Sequence, residues 1–246
     1  MQRYRADLHI HTLLSPCASI EMNPMAIIKS ALEKKIKIIG ITDHNSTYQC
    51  ATVKKIAEDF GIFVMCGVEI TSKEQIHLLA FFEDNDKLNQ IQEYIEKKIV
   101  KVRNNSDKNG YQAIVDENNN IIKEIDYYLG SYLDADINEV EEAVHKLSGI
   151  FIPAHIDRGK YSLMSQLGYV PDDIKADAME IFNRTSLNRF MKENSYLVHY
   201  NFIRNSDSHY LDSIGEYYTD FFIEKVNFKE IRLALKNVDG RMTLIE

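Results

Sequence analysis

Short apolar runs alternate with longer amphipathic stretches along most of this chain. Aliphatic and β-branched residues crowd positions 4–10, 37–42, 62–70, 76–82, 149–154, 178–182, 201–206 and 218–223. Runs of this length, bounded by polar residues, read as strands. Helices fall between them. Asn23-Pro24 has the form of an N-cap followed by proline at the first helical position, and Ile27, Ile28, Ala31 and Leu32 carry helical spacing on to about Lys35. Further helices are predicted over 47–59, closed by Gly61, over 138–147 and over 228–235. This alternation predicts βαβ units around a parallel sheet, an α/β fold class.

The alternation breaks between about residues 84 and 136. A charged helix is expected over 87–103. Residues 112–115 and 121–124 then flank Asp116-Glu117-Asn118-Asn119-Asn120, which reads as a hairpin around turn-forming residues. The stretch is short for a core of its own. We therefore expect one domain over 1–246 with an inserted helix-and-hairpin lobe at about 84–136. Because insertions over strand ends shape pockets, substrate choice is expected to be set there.

Composition narrows the function classes. The formal net charge of -8 weighs against broad phosphate neutralisation, so extended nucleic acid is not expected as a partner, whereas a small phosphorylated substrate is. Cys17, Cys50 and Cys66 have no disulfide-framework spacing. Arg3, Arg5 and Asp7 occupy the start where a secretory signal would need an apolar segment, and no apolar run reaches membrane-spanning length. A cytoplasmic setting without membrane contact is expected; nothing in the chain fixes an oligomeric state.

The candidate chemistry lies at the ends of the apolar runs. His9 and His11 are two apart in an extended segment, so their imidazoles share a face. Asp43-His44, Glu69, His77, His155 and Asp207-Ser208-His209 repeat the theme, and six of the eight histidines fall in these places. In parallel α/β sheets, functional groups gather at the carboxyl ends of strands. His77 begins its run instead, so either that boundary lies elsewhere or the strand runs the other way. The donors outnumber what one four-coordinate zinc requires. Two or three divalent ions (zinc, manganese or iron) fit better, with Glu69 as the bridging carboxylate and Asp207 beside it in the catalytic set. Asp7 is expected to orient a ligand imidazole, and Asp43 either to do the same or to ligate. Arg158, three residues after His155, is a candidate catalytic and phosphate-binding fork; Lys160 in the same loop and Arg184 after the next strand are further candidates for substrate binding. His145 and His199 fall outside the pattern and read as solvated or packed.

Taken in order, Asp7-Leu8-His9-Ile10-His11-Thr12, Thr42-Asp43-His44, Gly67-Val68-Glu69, His77, Pro153-Ala154-His155 and Ser206-Asp207-Ser208-His209 resemble the PHP (polymerase and histidinol phosphatase) superfamily. The resemblance implies a distorted (β/α)7 TIM-like barrel and a trinuclear metal centre. It implies that His9, His11, Glu69 and Asp207 hold one ion, that His44 and His209 hold a second, and that Glu69, His77 and His155 hold a third. Where family members often place His or Asp six residues after the second histidine of the first motif, this chain has Cys17, a thiol that can ligate zinc or iron. The implied activity is phosphoester hydrolysis. With no polymerase module in these residues, the expected substrate is a small phosphomonoester, histidinol-phosphate-like or nucleotide-like, attacked by a hydroxide bridging the metals. An amidohydrolase or lactonase on the same cluster is the alternative, and a non-enzymatic metal-binding regulatory module is the third reading.

Overall fold

The protein is described here by a computed structural model covering residues 1–245. Its strands and helices follow in the order β1 (Gln2–Ile10), α1 (Pro24–Glu33), β2 (Ile38–Ile41), α2 (Cys50–Asp59), β3 (Phe63–Thr71), β4 (His77–Phe82), α3 (Asn85–Lys98), α4 (Ser106–Asn109), β5 (Ala113–Val115) and β6 (Ile121–Glu124). They continue with α5 (Ile137–Lys146), β7 (Ile150–Pro153), α6 (Leu163–Leu167), β8 (Met179–Glu180), α7 (Leu187–Glu193), β9 (Phe202–Ile203), β10 (Thr219–Ile223), α8 (Phe228–Leu235) and β11 (Met242–Leu244).

Seven strands form one curled sheet in the order β11-β10-β1-β2-β3-β4-β7. It is mixed rather than all-parallel. β1, β2 and β3 run parallel, β4 runs antiparallel to both β3 and β7, and β10 runs antiparallel to β1. The reversal of β4 explains His77: the first residue of an antiparallel strand lies at the same end of the sheet as the last residues of its neighbours. β8 and β9 pair with each other, and scattered hydrogen bonds in and beside them complete the ring. The Ile156 amide donates to the Glu180 carbonyl (2.9 Å), and that of Ile181 to the Ile203 carbonyl (3.0 Å). The His11 amide donates to the Ser208 carbonyl (2.9 Å), and the Leu8 amide to the Asn205 side-chain oxygen (2.8 Å). The result is a distorted α/β barrel.

A bulge in β1 positions the first histidines. Ala6 and Leu8 pack in the inner core with Ile38, Met65, Phe81 and Ile203, whereas Ile10 packs in the outer core against Ile27 and Ile28 of α1. In a regular strand residues 8 and 10 share a face. Here the register against β2 shifts between Asp7 and Ile10, and the face changes over. Gly40 of β2 lies beside the irregularity; a Cβ there would overlap the Leu8 carbonyl oxygen. α8 contributes Phe228, Ile231, Ala234 and Leu235 to the inner core.

The stretch 84–136 does not stand apart as one lobe. α3 belongs to the outer layer, its Leu88, Ile91 and Ile95 packing in the same core as α1 and α2. Beyond it, β5 and β6 pair as a separate two-stranded sheet, and Ile114, Ile125 and Leu129 form a small core with Leu14. Asn45 ties this segment to the strand ends by donating to the carbonyls of Leu129 (2.8 Å) and Ser131 (2.7 Å).

Because backbone rather than a flexible side chain blocks the space at Gly40, Gly40→Ala is expected to cost about 3 kcal/mol in a denaturant titration. Gly159→Ala, where nothing lies within 4 Å of the added carbon, is expected to stay within about 0.5 kcal/mol. Equal midpoints for the two variants would contradict the close β1–β2 approach.

Candidate metal centre

Glu69, at the end of β3, is the centre of the site. Its carboxylate is buried and ringed by imidazoles. Oε1 lies 2.8 Å from His77 Nδ1, 3.2 Å from His9 Nε2 and 3.4 Å from His155 Nε2. Oε2 lies 2.9 Å from His44 Nδ1 and 3.4 Å from His11 Nε2. Asp207 Oδ1 is 3.3 Å from Nε2 of both His9 and His11, and the His209 ring stacks on His11 at 4.2 Å between centroids. His155 and Asp207 hold left-handed backbone angles, φ 30° and 53°, that aim their side chains inward from the strand ends.

Proximity here is not hydrogen bonding. Both Glu69 oxygens, Nδ1 of His44 and His77, and both ring nitrogens of His155 are buried without a hydrogen-bond partner. Orphaned buried polar atoms are costly. Nitrogen and oxygen donors converging on shared points, with lone pairs facing one another, are the arrangement a cation satisfies. Three groups have donor atoms within 4.8 Å of one another: His9, His11 and Glu69; His44, Glu69 and His77; and His11, His44 and His209. The donor set therefore fits divalent metal ions.

A layer of hydrogen bonds behind the ligands sets the tautomers. Glu180 lies 3.1 Å from His9 Nδ1, so that nitrogen carries the proton and Nε2 faces Glu69. Glu180 also accepts from the His155 amide (2.9 Å) and Asn205 Nδ2 (2.7 Å). Neither Glu180 nor Asn205 was among the expected site residues; the one signal for Glu180 is a carboxylate inside the apolar run 178–182. Ser15 gives its proton to Asp43 (2.7 Å), leaving its oxygen to accept from His11 Nδ1 (3.0 Å) and the His44 amide (3.1 Å). Asp43 further accepts from the amide (2.7 Å) and hydroxyl (2.8 Å) of Thr12, so it organises the loop after β1 rather than ligating. Asp7 touches no imidazole. It accepts from the amide (3.1 Å) and hydroxyl (2.5 Å) of Ser206 and from the Gly215 amide (2.8 Å), holding the loop that carries Asp207 and His209.

A cavity of about 250 Å³ opens over the cluster, lined by Cys17, His44, Glu69, His77, Tyr128, Gly130, Arg158, Tyr161, Asp207 and His209. Arg158 is at its wall, with Nη1 2.9 Å from Asp207 Oδ2. Tyr161 lies nearly parallel to the His77 ring at 4.7 Å, and its carbonyl accepts from the His77 amide (3.0 Å). The two other candidate cations are elsewhere. Lys160 is exposed and does not line the cavity; Arg184 lines a separate surface depression with Arg204 and Tyr217. Position after a strand end brought Arg158 to the mouth but not Arg184, whose loop turns outward. His145 packs edge-on against Phe151, and His199 Nδ1 lies 3.1 Å from the Tyr196 carbonyl; both are outside the cavity lining.

The electrostatics fit a cation site. Burial pushes the Glu69 carboxyl up, but His77, His9 and His44 outweigh it and hold it well below the usual range. Burial also opposes charge on His9, yet Glu180, Asp207 and Glu69 raise its pKa well above the ordinary value. His77 is lowered to about 4, burial being the main cause. A bound cation would supply positive charge between these carboxylates and favour the neutral imidazoles that ligate it.

A PHP domain family model matches residues 7–197. The chain belongs to the PHP domain family. Among curated proteins, the uncharacterized protein MJ1587 of Methanocaldococcus jannaschii is 38% identical over 103 residues, a match covering 38% of this PHP chain and 60% of that protein. Among solved structures, the lesion-specific endonuclease PfuEndoQ from Pyrococcus furiosus superposes with a TM-score of 0.76 at 20% identity, covering 98% of this chain and 58% of that one. A complex of endonuclease Q with a 27-mer duplex carrying an abasic lesion at the active site superposes with a TM-score of 0.72 at 21% identity, again over 98% of this chain and 58% of that one. This PHP chain thus spans about three fifths of the length of these proteins.

The expectation against extended nucleic acid does not stand. Endonuclease Q, of the same fold, holds duplex DNA at its active site. Net charge was the wrong guide: -8 averages the whole surface, whereas a phosphate meets only the cations near the cavity.

Glu180→Gln keeps the size of the side chain but removes the charge that fixes His9 Nδ1–H. Zinc affinity, measured by competition with a chromophoric chelator, is expected to fall by about 10- to 100-fold. Unchanged affinity would mean that His9 needs no such partner.

Proposed function

We propose that this chain is a metal-dependent phosphoesterase with two or three divalent ions, zinc, manganese or iron, at the floor of the cavity. In this reading His9, His11, Glu69 and Asp207 hold one ion, Glu69, His77 and His155 another, and His44 and His209 belong to a further position. The observation that carries it is Glu69: a buried carboxylate with two orphaned oxygens, facing five imidazoles presented from four segments, since His9 and His11 share the end of β1. Ions bound there would take up charge on a phosphate and lower the pKa of a bound water.

The chain's own residues support that chemistry. Glu180 and Ser15 hold His9 and His11 with Nε2 facing the centre. Arg158 anchors Asp207 by one nitrogen and places a guanidinium at the cavity wall, where a phosphate oxygen not held by metal needs a donor. Tyr128 and Tyr161 wall the cavity. A cavity of about 250 Å³ has room for a phosphate group over the cluster together with part of the group it is attached to. A small phosphomonoester presents a terminal phosphate and a nucleic-acid backbone a phosphodiester, and both offer non-bridging oxygens that ions at the cavity floor could hold. The likeness to endonuclease Q makes lesion-bearing duplex DNA a substrate to test beside nucleotides and sugar phosphates. The guanidinium beside Asp207 favours phosphate over the carbonyl substrates of an amidohydrolase or lactonase.

Metal-loaded protein is expected to hydrolyse at least one phosphoester in such a panel, to lose the activity on chelation and to regain it with divalent metal. Glu69→Gln is expected to lose bound metal and about 10²-fold or more in turnover. Turnover of lactones or amides with every phosphoester untouched would overturn the assignment.

Arg158→Ala is expected to lower kcat/KM for the active phosphoester by about 10²-fold, with Arg158→Lys only partly restoring it because the fork is lost. His145→Gln and His199→Gln, whose side chains lie outside the cavity, are expected to stay within about threefold of wild type. Steady-state kinetics with parallel metal analysis distinguishes these outcomes; wild-type kinetics in Arg158→Ala would remove it from the site.

A further inference from the structure

Tyr128 brings a free hydroxyl to the cavity from the segment that follows the hairpin. The tip of its ring rests on Gly130, where an added Cβ would lie 2.5 Å from both the ring carbon Cζ and the hydroxyl oxygen. Gly130 lines the cavity too, so that contact sets the hydroxyl at the wall. The hydroxyl meets no donor or acceptor among the described residues, whereas those of Tyr48, Tyr196 and Tyr200 are bonded to Glu96, the Val170 amide and the Ile174 carbonyl. That of Tyr127 is also unpartnered, but it is buried; the Tyr128 hydroxyl is open to the cavity.

The backbone fixes that ring from both sides. The Tyr128 amide donates to the Val102 carbonyl (2.7 Å), and its carbonyl accepts from the Ser131 amide (3.2 Å). The next residue, Leu129, is buried in the small core with Leu14, and its amide donates to the Gln112 side-chain oxygen (2.8 Å). Asn45, beside His44, holds the carbonyls on either side of Gly130. The phenol is thus carried on backbone tied to the cluster itself. Burial raises its pKa above the ordinary value, with Cys17 and Tyr161 adding to the effect and His44 opposing it, so the hydroxyl keeps its proton at neutral pH.

Hydrolysis of a phosphoester develops charge on the departing oxygen, and few groups in the cavity can give that oxygen a proton. The histidines and carboxylates belong to the metal positions of the reading above. The Cys17 thiol stands 3.0 Å from His209 Nε2, and the Arg158 guanidinium is paired with Asp207 and does not release a proton. Two tyrosines remain. Tyr161 lies along the His77 ring and is 40% exposed, whereas the Tyr128 hydroxyl is seated on Gly130. We propose that Tyr128 is the proton donor to the leaving-group oxygen. This rests on the phosphoesterase reading above and deepens it. Water forms the new bond to phosphorus and gives a proton to solvent. The bond to the leaving oxygen breaks with its electron pair on that oxygen, which takes the phenolic proton, and the phenolate regains one from solvent. Such a donor matters most for esters of ordinary alcohols, which are poor leaving groups, and little for esters of acidic phenols.

Leaving-group dependence tests this on the metal-loaded full chain. Within the ester class that the wild type hydrolyses, a p-nitrophenyl ester is compared with the ester of an ordinary alcohol: p-nitrophenyl phosphate with glycerol phosphate for monoesters, p-nitrophenyl thymidylate with a thymidine dinucleotide for diesters. Single-turnover rates keep product release out of the comparison. Tyr128→Phe, which removes one oxygen, is expected to slow the alcohol ester by about 10²-fold and the p-nitrophenyl ester by less than about threefold, with metal content and denaturation midpoint unchanged. A loss on the p-nitrophenyl ester as large as that on the alcohol ester, no loss on either, or loss of bound metal would overturn the proton-donor role while leaving the phosphoesterase reading standing. A wild type that hydrolyses no ester of either class would overturn both.

Discussion

A single buried carboxylate sets the terms for the rest of this structure. Glu69 has left water, and no hydrogen-bond donor satisfies either of its oxygens. Leaving a charge so placed costs several kcal/mol unless a counter-charge is supplied. A divalent ion would provide it and would also use the lone pairs of the nitrogens around the carboxylate that meet no donor. The barrel can keep such a group at its centre only if the surrounding ligands are held rigidly, and much of the local architecture meets that need.

Rigidity comes from backbone devices. The β1 bulge turns His9 and His11 inward while Leu8 stays in the inner core, and Gly40 gives it room. Left-handed angles at His155 and Asp207 bend two ligands into the bowl. Buried carboxylates that never touch the centre fix the loops that do: Asp43 the loop after β1, Asp7 the loop after β9, Glu180 the His9 ring and the His155 amide. Glu180 alone of the three meets an imidazole directly; Asp43 and Asp7 act through the amides and hydroxyls of the loops.

The residues of the cluster were legible in the sequence because each ends or begins an apolar run, and the barrel brings those ends together. His77 was the instructive case. Its place at the start of a run disagreed with an all-parallel sheet, and the antiparallel β4 resolves the disagreement. Glu180 escaped notice because a single carboxylate in an apolar run carries no spacing signal, and its role depends on β8 lying beside β1 across the barrel seam. Arg184 and Lys160 were chosen by proximity in sequence to a strand end, which says nothing of the direction in which a loop turns. The short strand β11 and helices α6 and α7 were missed, being too brief to show a period. The helix at 85–98 was grouped with the hairpin because the alternation breaks there; its apolar stripe places it in the barrel's outer layer.

The charge lesson is similar. A formal charge of -8 describes the whole chain, while the cavity brings together three histidines and one arginine. The central claim is that Glu69 is a metal ligand shared between positions, not a carboxylate neutralised by protons. Crystals of the protein grown with zinc or manganese, measured at the metal absorption edge, test it directly. The account predicts at least two anomalous peaks (about 2.0–2.2 Å from each ligand atom for zinc) with Glu69 contacting both. No peak at Glu69, with its oxygens hydrogen-bonded to imidazolium groups instead, would contradict it.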